Sequence, residues 1–385
     1  MNPEWIARPA DVAALRAALR RAPAVLLTGP RQVGKSSLVR RELAPDGSHY
    51  FDLEDPRHLA RLADPVLALE QLEGTVVIDE AQRMSALFPV LRVLIDADRR
   101  PGRFLLLGSA SPELVGLSAE SLAGRLALLE LGPLSLADVG PDRLDDLWFR
   151  GGLPESFRAA SDLEASAWLG DYILTFLERD LAQLGTRVPA TTMRRFWAML
   201  GHRQGALWNG AEFARSLGSS EPTARRYVDA LTDALMVRQL QPWHANIAKR
   251  QVKSPKVYLR DAGTLHRLLE IPTRAALLSH PILGASWEGF IIEHIAALGL
   301  PTYFWRTQAG AEIDVVLARG SRLTGVEIKR TDSPSVTPSM RHALHDLGLE
   351  RIVVVHAGPD CFPLADRIDA VGAVDFLTDP GAALE

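Results

Sequence analysis

The sequence predicts an α/β chain in several parts: a parallel-sheet domain with a phosphate loop, a helical segment, a winged-helix unit, and a second α/β domain. Three observations predict it. An apolar run, Ala24–Leu27, leads into Gly29-Pro30-Arg31-Gln32-Val33-Gly34-Lys35-Ser36 and then a helical pattern. A short helix, a glycine turn and a second helix are written over residues 209–231. Three strand-like runs between residues 302 and 330 carry an acid on one and Glu-x-Lys on another. The divisions expected from these signals are 1–140 for the sheet domain, 141–195 for a helical linker or lid, 196–275 for the winged helix and 276–385 for the last domain.

The first element is the strongest. A buried strand, a Gly-rich turn and a helix N-terminus together make a phosphate site, because successive backbone N–H groups point at one anion and the helix dipole adds favourable potential. In the pattern G-x-x-x-x-G-K-S, Gly29 to Ser36 and the following Ser37 cradle the phosphates, Lys35 reaches the β/γ-phosphates and Ser36 holds Mg²⁺. The next element, Thr75-Val76-Val77-Ile78-Asp79-Glu80, has the form of a buried parallel strand ending in two acids. Mg²⁺ prefers oxygen ligands and an attacking water needs orientation. Asp79 is therefore the expected metal partner and Glu80 the residue that polarises water. A third strand, Phe104–Leu107, ends at Gly108-Ser109-Ala110-Ser111. There Ser109 is the candidate for sensing the γ-phosphate, or else a turn residue. Arg92, Arg99, Arg100, Arg103 and Arg125 supply candidates for an arginine finger, in cis or from a second copy in a homo-oligomer. Tyr50–Pro56 reads as a further strand and turn, with Asp52 near the nucleotide or simply closing a strand.

The middle of the chain is helical in period from Asp145 to Thr186. Over 209–218 a short helix is stopped by Gly218; Ser219 or Ser220 caps the next, with Glu221 and Pro222 in its first turn. This is the helix-turn-helix pattern, and Met236–Leu240 with Lys256–Leu259 look like the strands of a wing. Arg225, Arg226 and Tyr227 fall near the start of the second helix, where a recognition helix meets DNA. The net charge of −4 hides a basic block around this unit. Residues 191–260 hold twelve Lys/Arg against four acids, which suggests a polyanion partner, a solvated face or an acidic neighbour.

The last domain places Glu288 on a helix, Asp314 on one strand, and Glu327 and Lys329 two apart on the next. Residues two apart on a strand share a face, so Glu327 and Lys329 point one way and Ile328 the other. Two carboxylates beside a lysine can bind Mg²⁺ or Mn²⁺ and help deprotonate water. Asp314 and Glu327 are the expected ligands, Lys329 and Glu288 completing the catalytic set. His266 and His294 lack partners at ligand spacing and are expected to be structural or surface residues.

Composition sets limits on the whole. With 47% apolar and 23% charged residues the chain is ordinary for a soluble globular protein. No apolar run approaches the roughly 20 residues that span a bilayer, and Met1–Arg21 has no signal-peptide core. A single cysteine, Cys361, forms no internal disulfide and excludes a Cys-rich zinc site. A reducing cytoplasm fits, and Cys361 reads as a packing residue.

The order of parts resembles a widespread bacterial and archaeal family of AAA+-like P-loop ATPases joined to a C-terminal domain of unknown function. GPRQVGKSSL, VVIDEAQ, LLLGSAS, SLAGR, GGLPE, FLERDL, PKVYLRDAG, FWRTQAGAEIDVVL and GVEIKR carry the resemblance and span nearly the whole chain. It implies an ATP-binding and hydrolysing module, a winged helix, and a restriction-endonuclease-like domain of the PD-(D/E)xK kind in which Asp314, Glu327 and Lys329 match the catalytic positions. The proline usually written before the first acid is Ile313 here. Three readings of function follow. In one, ATP drives an enzyme that acts on DNA; in another, an NTP-dependent switch binds a protein partner and the nuclease-like domain is an inactive scaffold; in the third, a structural assembly ATPase has oligomerisation as its output.

Overall fold

The computed structural model describes residues 5–43, 49–110, 112–181, 188–243 and 252–384. They form two compact units, one of residues 1–133 with Asp233–Leu235 and one of the remainder. Thr186, Ser111, Lys249 and Arg250, which figured in the sequence reading, lie outside the described residues.

In the first unit five strands, β1 (Ala24–Thr28), β2 (His49–Asp52), β3 (Val76–Asp79), β4 (Phe104–Leu107) and β5 (Leu126–Glu130), lie in the order β2-β3-β4-β1-β5. All pair in parallel. A parallel sheet is covered on both faces, so its strands are apolar at every position and successive side chains feed two separate cores. Ala24, Leu26, Phe51, Ile78, Phe104 and Leu106 enter one core. Val25, Leu27, Val77, Leu105 and Leu107 enter the other, with Leu38 and Val39 of the helix Lys35–Glu42. Because the sheet is parallel, the C-terminal ends of β1, β4 and β3 open on one edge in that order, which is where ligands of such sheets bind.

In the second unit helical elements follow one another from Leu144 to Asp180, and the helices Ala190–His202, Gly210–Leu217 and Glu221–Asp233 come after them. Asn209 caps the first through the Glu212 N–H, and Gly218, at φ 63°, closes it in a left-handed turn. Ser220 accepts from the Thr223 N–H at 3.3 Å, so of the two serines it is Ser220 that caps the second. β6 (Val237–Leu240) and β7 (Lys256–Leu259) form an antiparallel pair.

Beyond them lies a six-stranded mixed sheet: β8 (Thr302–Arg306), β9 (Glu312–Arg319), β10 (Arg322–Lys329), β11 (Arg351–His356), β12 (Phe362–Ala365) and β13 (Ile368–Gly372), in the order β12-β13-β11-β10-β9-β8. Strands β8, β9 and β10 run as an antiparallel meander, and β10 pairs with β11 in parallel across the helix Pro338–Leu347. That helix buries Met340, Ala343 and Leu344 against Trp305, Ile313, Ile352 and Val354. Between Tyr303 and Trp305 the β8–β9 register slips, opposite Asp314 and Val315. A bulge of this kind bends a strand and re-aims a side chain. Of the eight tryptophans, only Trp5 belongs to the first unit.

No described helix is long and apolar enough to cross a membrane. Cys361 is exposed, its thiol 3.5 Å from the Asp375 carboxylate, which corrects the packing role expected of it. The reason is local: it precedes β12, an outer strand whose residues are mostly exposed.

Candidate functional site

The Gly29–Ser36 turn lies between β1 and the helix Lys35–Glu42. Gln32 (φ 59°) and Gly34 (φ 98°) both take the left-handed conformation, which turns backbone N–H groups toward one point. A Cβ on Gly29 would lie 2.5 Å from the Leu131 carbonyl oxygen, so that position admits glycine alone without a shift of backbone. Arg8 is buried behind the turn and donates to the carbonyls of Val33 (3.4 Å) and Gly132 (2.9 Å). Nothing in the sequence marked Arg8; its role comes from contacts with residues 25 and 124 positions away.

Lys35 is buried, with Nζ donating to the Gly29 and Pro30 carbonyls at 3.0 Å each. Burial brings its pKa down to about 8, against the pull of Glu80 and Asp79, whose charges favour the ammonium. Asp79 ends β3 in the core; its Oδ1 accepts from the Glu80 N–H at 3.0 Å and its Oδ2 from the Tyr50 hydroxyl. Glu80 holds a left-handed backbone (φ 55°), a strained conformation for a side-chain-bearing residue and one that gathers at functional sites. Burial and the neighbouring Asp79 raise the Glu80 pKa. Gln82, two residues on, donates to Glu80 Oε2, and its Oε1 lies 2.6 Å from where a Gly108 Cβ would be. Gln82 thus spans from the acid pair to the end of β4, next to half-buried Ser109. It stands in VVIDEAQ, but sequence reasoning passed over it.

Other residues of the first unit have structural partners. Asp52 takes Arg40 at 3.1 Å. Arg103 is buried and donates to the carbonyls of Leu94, Asp98 and Glu70, and Arg125 chelates Asp96. Arg99 and Arg100 donate to the Gly124 and Leu72 carbonyls.

In the second unit the expected acids do come together, around a residue the sequence reading did not assign. On β7, Lys256 and Tyr258 alternate onto one side, and both reach Glu288 of the helix Leu283–Ala296: Nζ lies 3.0 Å and the hydroxyl 2.5 Å from Oε1. Lys256 Nζ also lies 2.5 Å from Glu312 and 3.8 Å from Asp314. Asp314, which lies opposite the bulge, accepts the Ile328 N–H at 2.9 Å, where the β9–β10 backbone ladder has ended at Val326. Lys329 pairs with Glu327 at 2.6 Å. Burial, and then the charges of Glu288 and Glu327, push the Asp314 pKa well up. Burial also raises that of Glu327, against the opposing pull of Lys329. Burial alone would lower the Lys256 pKa, but Glu288, Asp314 and Glu312 outweigh it and hold it above the ordinary value.

A model of the AAA domain matches residues 21–139, and models of two domains of unknown function, DUF8612 and DUF4143, match residues 141–275 and 283–376. Over 377 residues the chain is 58% identical to the uncharacterized protein Rv2008c of Mycobacterium tuberculosis, covering 97% of this chain and 85% of that one. The match to the uncharacterized protein Mb2031c of Mycobacterium bovis has the same values. The chain belongs to this family of AAA-domain P-loop ATPases. Among solved structures, the Walker-type ATPase PABY2304 of Pyrococcus abyssi aligns at a TM-score of 0.48 and 17% identity, covering 69% of this chain and 97% of that one.

The AAA domain fits Mg²⁺ with nucleotide. The ion keeps several waters and needs one or two protein oxygens besides phosphates, and half-buried Ser36 with Asp79 supplies that kind of set. The C-terminal cluster does not fit Mg²⁺ or Mn²⁺. Among the described residues no group of three His, Cys, Asp or Glu side chains is arranged to hold a metal. Of the residues expected to hold a metal there, Glu288 and Asp314, together with Glu312, face the Lys256 ammonium, and Glu327 pairs with Lys329.

The helix-turn-helix expectation also changes. Tyr227 is buried, its ring edge-on to Phe196 at 5.5 Å, so it packs in the core of this unit. Arg225 is exposed and pairs with Asp229 at 3.0 Å; Arg226 is exposed. Much of the basic block is consumed internally. Arg238 and Arg260 both bind Glu293, Arg203 binds Glu212, and Lys256 binds the acid cluster. Arg194, Arg195, Arg215, Arg226 and Lys253 are exposed. Both histidines are buried: His266 contacts the Phe149 carbonyl and Ser286, and His294 the Phe290 carbonyl and the Leu136 N–H, which excludes a surface role.

Proposed function

We propose that this chain is a Mg²⁺-dependent ATP hydrolase acting as a switch on a protein partner, with the second unit as its output module. The observation that carries it is Lys35, buried at the phosphate turn within the field of Asp79 and Glu80. The backbone N–H groups from Gly29 to Ser37 and the Lys35 ammonium bind the phosphates; Ser36 and Asp79 hold Mg²⁺, which withdraws charge from the β- and γ-phosphoryl oxygens when bound. Glu80, its pKa raised, takes the role of orienting the attacking water and accepting its proton. Gln82 carries the state of Glu80 to the end of β4, where Ser109 faces the γ-phosphate.

A protein partner is favoured over DNA because five of the cations that suggested a polyanion are paired within the fold. Steady-state ATP turnover tests the enzyme reading: wild type hydrolyses ATP with Mg²⁺, Lys35→Ala does not, and Glu80→Gln binds ATP without turning it over. Equal turnover by wild type and Glu80→Gln removes the catalytic assignment.

One observation favours the second reading, action on DNA. An open groove of about 930 Å³ runs beside the start of the helix Glu221–Asp233, lined by Arg203, Trp208, Asn209, Arg225 and Arg306 among others. Its test is duplex binding against salt, since phosphate contacts release counterions and affinity falls steeply as salt rises. Negligible affinity at low salt leaves the protein-partner reading standing.

A further inference from the structure

We propose that the Lys256 ammonium is the permanent cation of the C-terminal acid cluster, standing where a divalent metal would have to sit. The cluster is then a charge lock that fastens β7 to the helix Leu283–Ala296 and to β9, and not a hydrolytic centre.

Mg²⁺ requires oxygens at about 2.0–2.1 Å in near-octahedral array. Here five of the eight carboxylate oxygens of Glu288, Glu312, Asp314 and Glu327 already have a nitrogen or hydroxyl partner. Glu288 Oε1 takes both Lys256 and Tyr258, and Glu312 Oε1 takes Lys256 while its Oε2 lies 3.3 Å from Arg306. Asp314 Oδ2 takes the Ile328 N–H and its Oδ1 faces Lys256. Glu327 Oε1 takes Lys329, and Glu327 Oε2 is buried without a hydrogen-bond partner among the described residues. A divalent ion at the remaining oxygens would face two ammonium groups, those of Lys256 and Lys329.

Lys256 itself cannot leave cheaply. Its side chain is only 5% exposed, its backbone bridges to Leu207, and its Nζ sits 5.7 Å from the centre of the Phe304 ring. Three carboxylates from two separate elements are satisfied by one ion on a third, the geometry expected of a structural counter-ion.

The test uses the full chain, with and without ATP. Amine acylation followed by mass spectrometry compares Lys256 with exposed Lys253; the lock predicts that Lys256 reacts at least about tenfold more slowly. Mn²⁺ binding read by electron paramagnetic resonance is then compared between wild type and Asp314→Asn. The lock predicts equal numbers of bound ions, and it predicts that Lys256→Met gains one ion that Lys256→Met/Asp314→Asn lacks. Acylation of Lys256 at the rate of Lys253, a Mn²⁺ ion that Asp314→Asn loses, or a folded Lys256→Met that gains none would each overturn the proposal. Should Lys256→Met fail to fold, the first two measurements decide it.

Discussion

ATP affinity should fall with pH above 8, and the reason is Lys35. In the nucleotide-free protein its ammonium is buried and its pKa is brought down to about 8. Phosphate binding needs the charged form. At pH 7 about nine-tenths of the lysine is protonated; at pH 9 about one-tenth is. If the neutral amine contributes nothing, the apparent Kd rises about tenfold between those values, or ~1.4 kcal/mol. The assay is calorimetric titration with a non-hydrolysable ATP analogue from pH 7 to 9.5 at fixed ionic strength. Lys35→Arg serves as the control, since a guanidinium stays charged throughout and its affinity should be flat. The same shift gives nucleotide-free stability the opposite slope. The folded pKa lies below the ordinary 10.5, so between about pH 8 and 10.5 the unfolded chain binds more protons and stability from this group rises with pH, by up to ~3 kcal/mol. Wild-type affinity that is constant to pH 9.5 would refute the reasoning.

Other perturbations have equally definite outcomes. Glu80→Gln should keep ATP binding but lower kcat by about 10²-fold or more, measured by phosphate release. Gly29→Ala should abolish ATP binding in a folded protein, because its Cβ would meet the Leu131 carbonyl oxygen at 2.5 Å; calorimetry and circular dichroism separate the two effects. Glu293→Gln should destabilise the second unit by about 3 kcal/mol in urea, because Arg238 and Arg260 lose their shared partner. Burial would raise the Glu293 pKa, but the two arginines hold it at about 2. Its contribution is therefore full above the unfolded value near 4.5 and drains away as pH falls toward 2, a slope the variant should lack. Tyr227→Phe should leave any duplex affinity unchanged, whereas Arg226→Glu should weaken it and flatten its salt dependence in a filter-binding assay.

What the sequence made legible was whatever is written in short range. The phosphate turn, the strand ending in Asp79-Glu80, the helix pair closed by Gly218 and the runs that became β8, β9 and β10 each depend on neighbours a few residues apart. The convergence of Glu288, Asp314 and Glu327 was also legible, because alternation and order fixed it. What these acids converge on was not. Lys256 reaches Asp314 across 58 positions, and in the sequence it is one cation in a basic block that reads as a surface. Tyr227 follows the same logic: a helical period separates faces, but only the aromatic cluster of Phe196 and Phe213 shows which face is inside. Arg8 and Glu293 gave no local signal at all, because each acts on segments far away in the chain.

The uneven placing of tryptophan makes this protein its own reporter. Seven of its eight indoles stand in the unit that does not carry the phosphate turn, while Trp5 hydrogen-bonds to Glu42 at the end of the helix that begins with Lys35. Emission from Trp5→Phe would therefore come wholly from the second unit. A change in that emission on adding ATP would be a direct optical measure of communication between nucleotide and output module, obtained without any attached label.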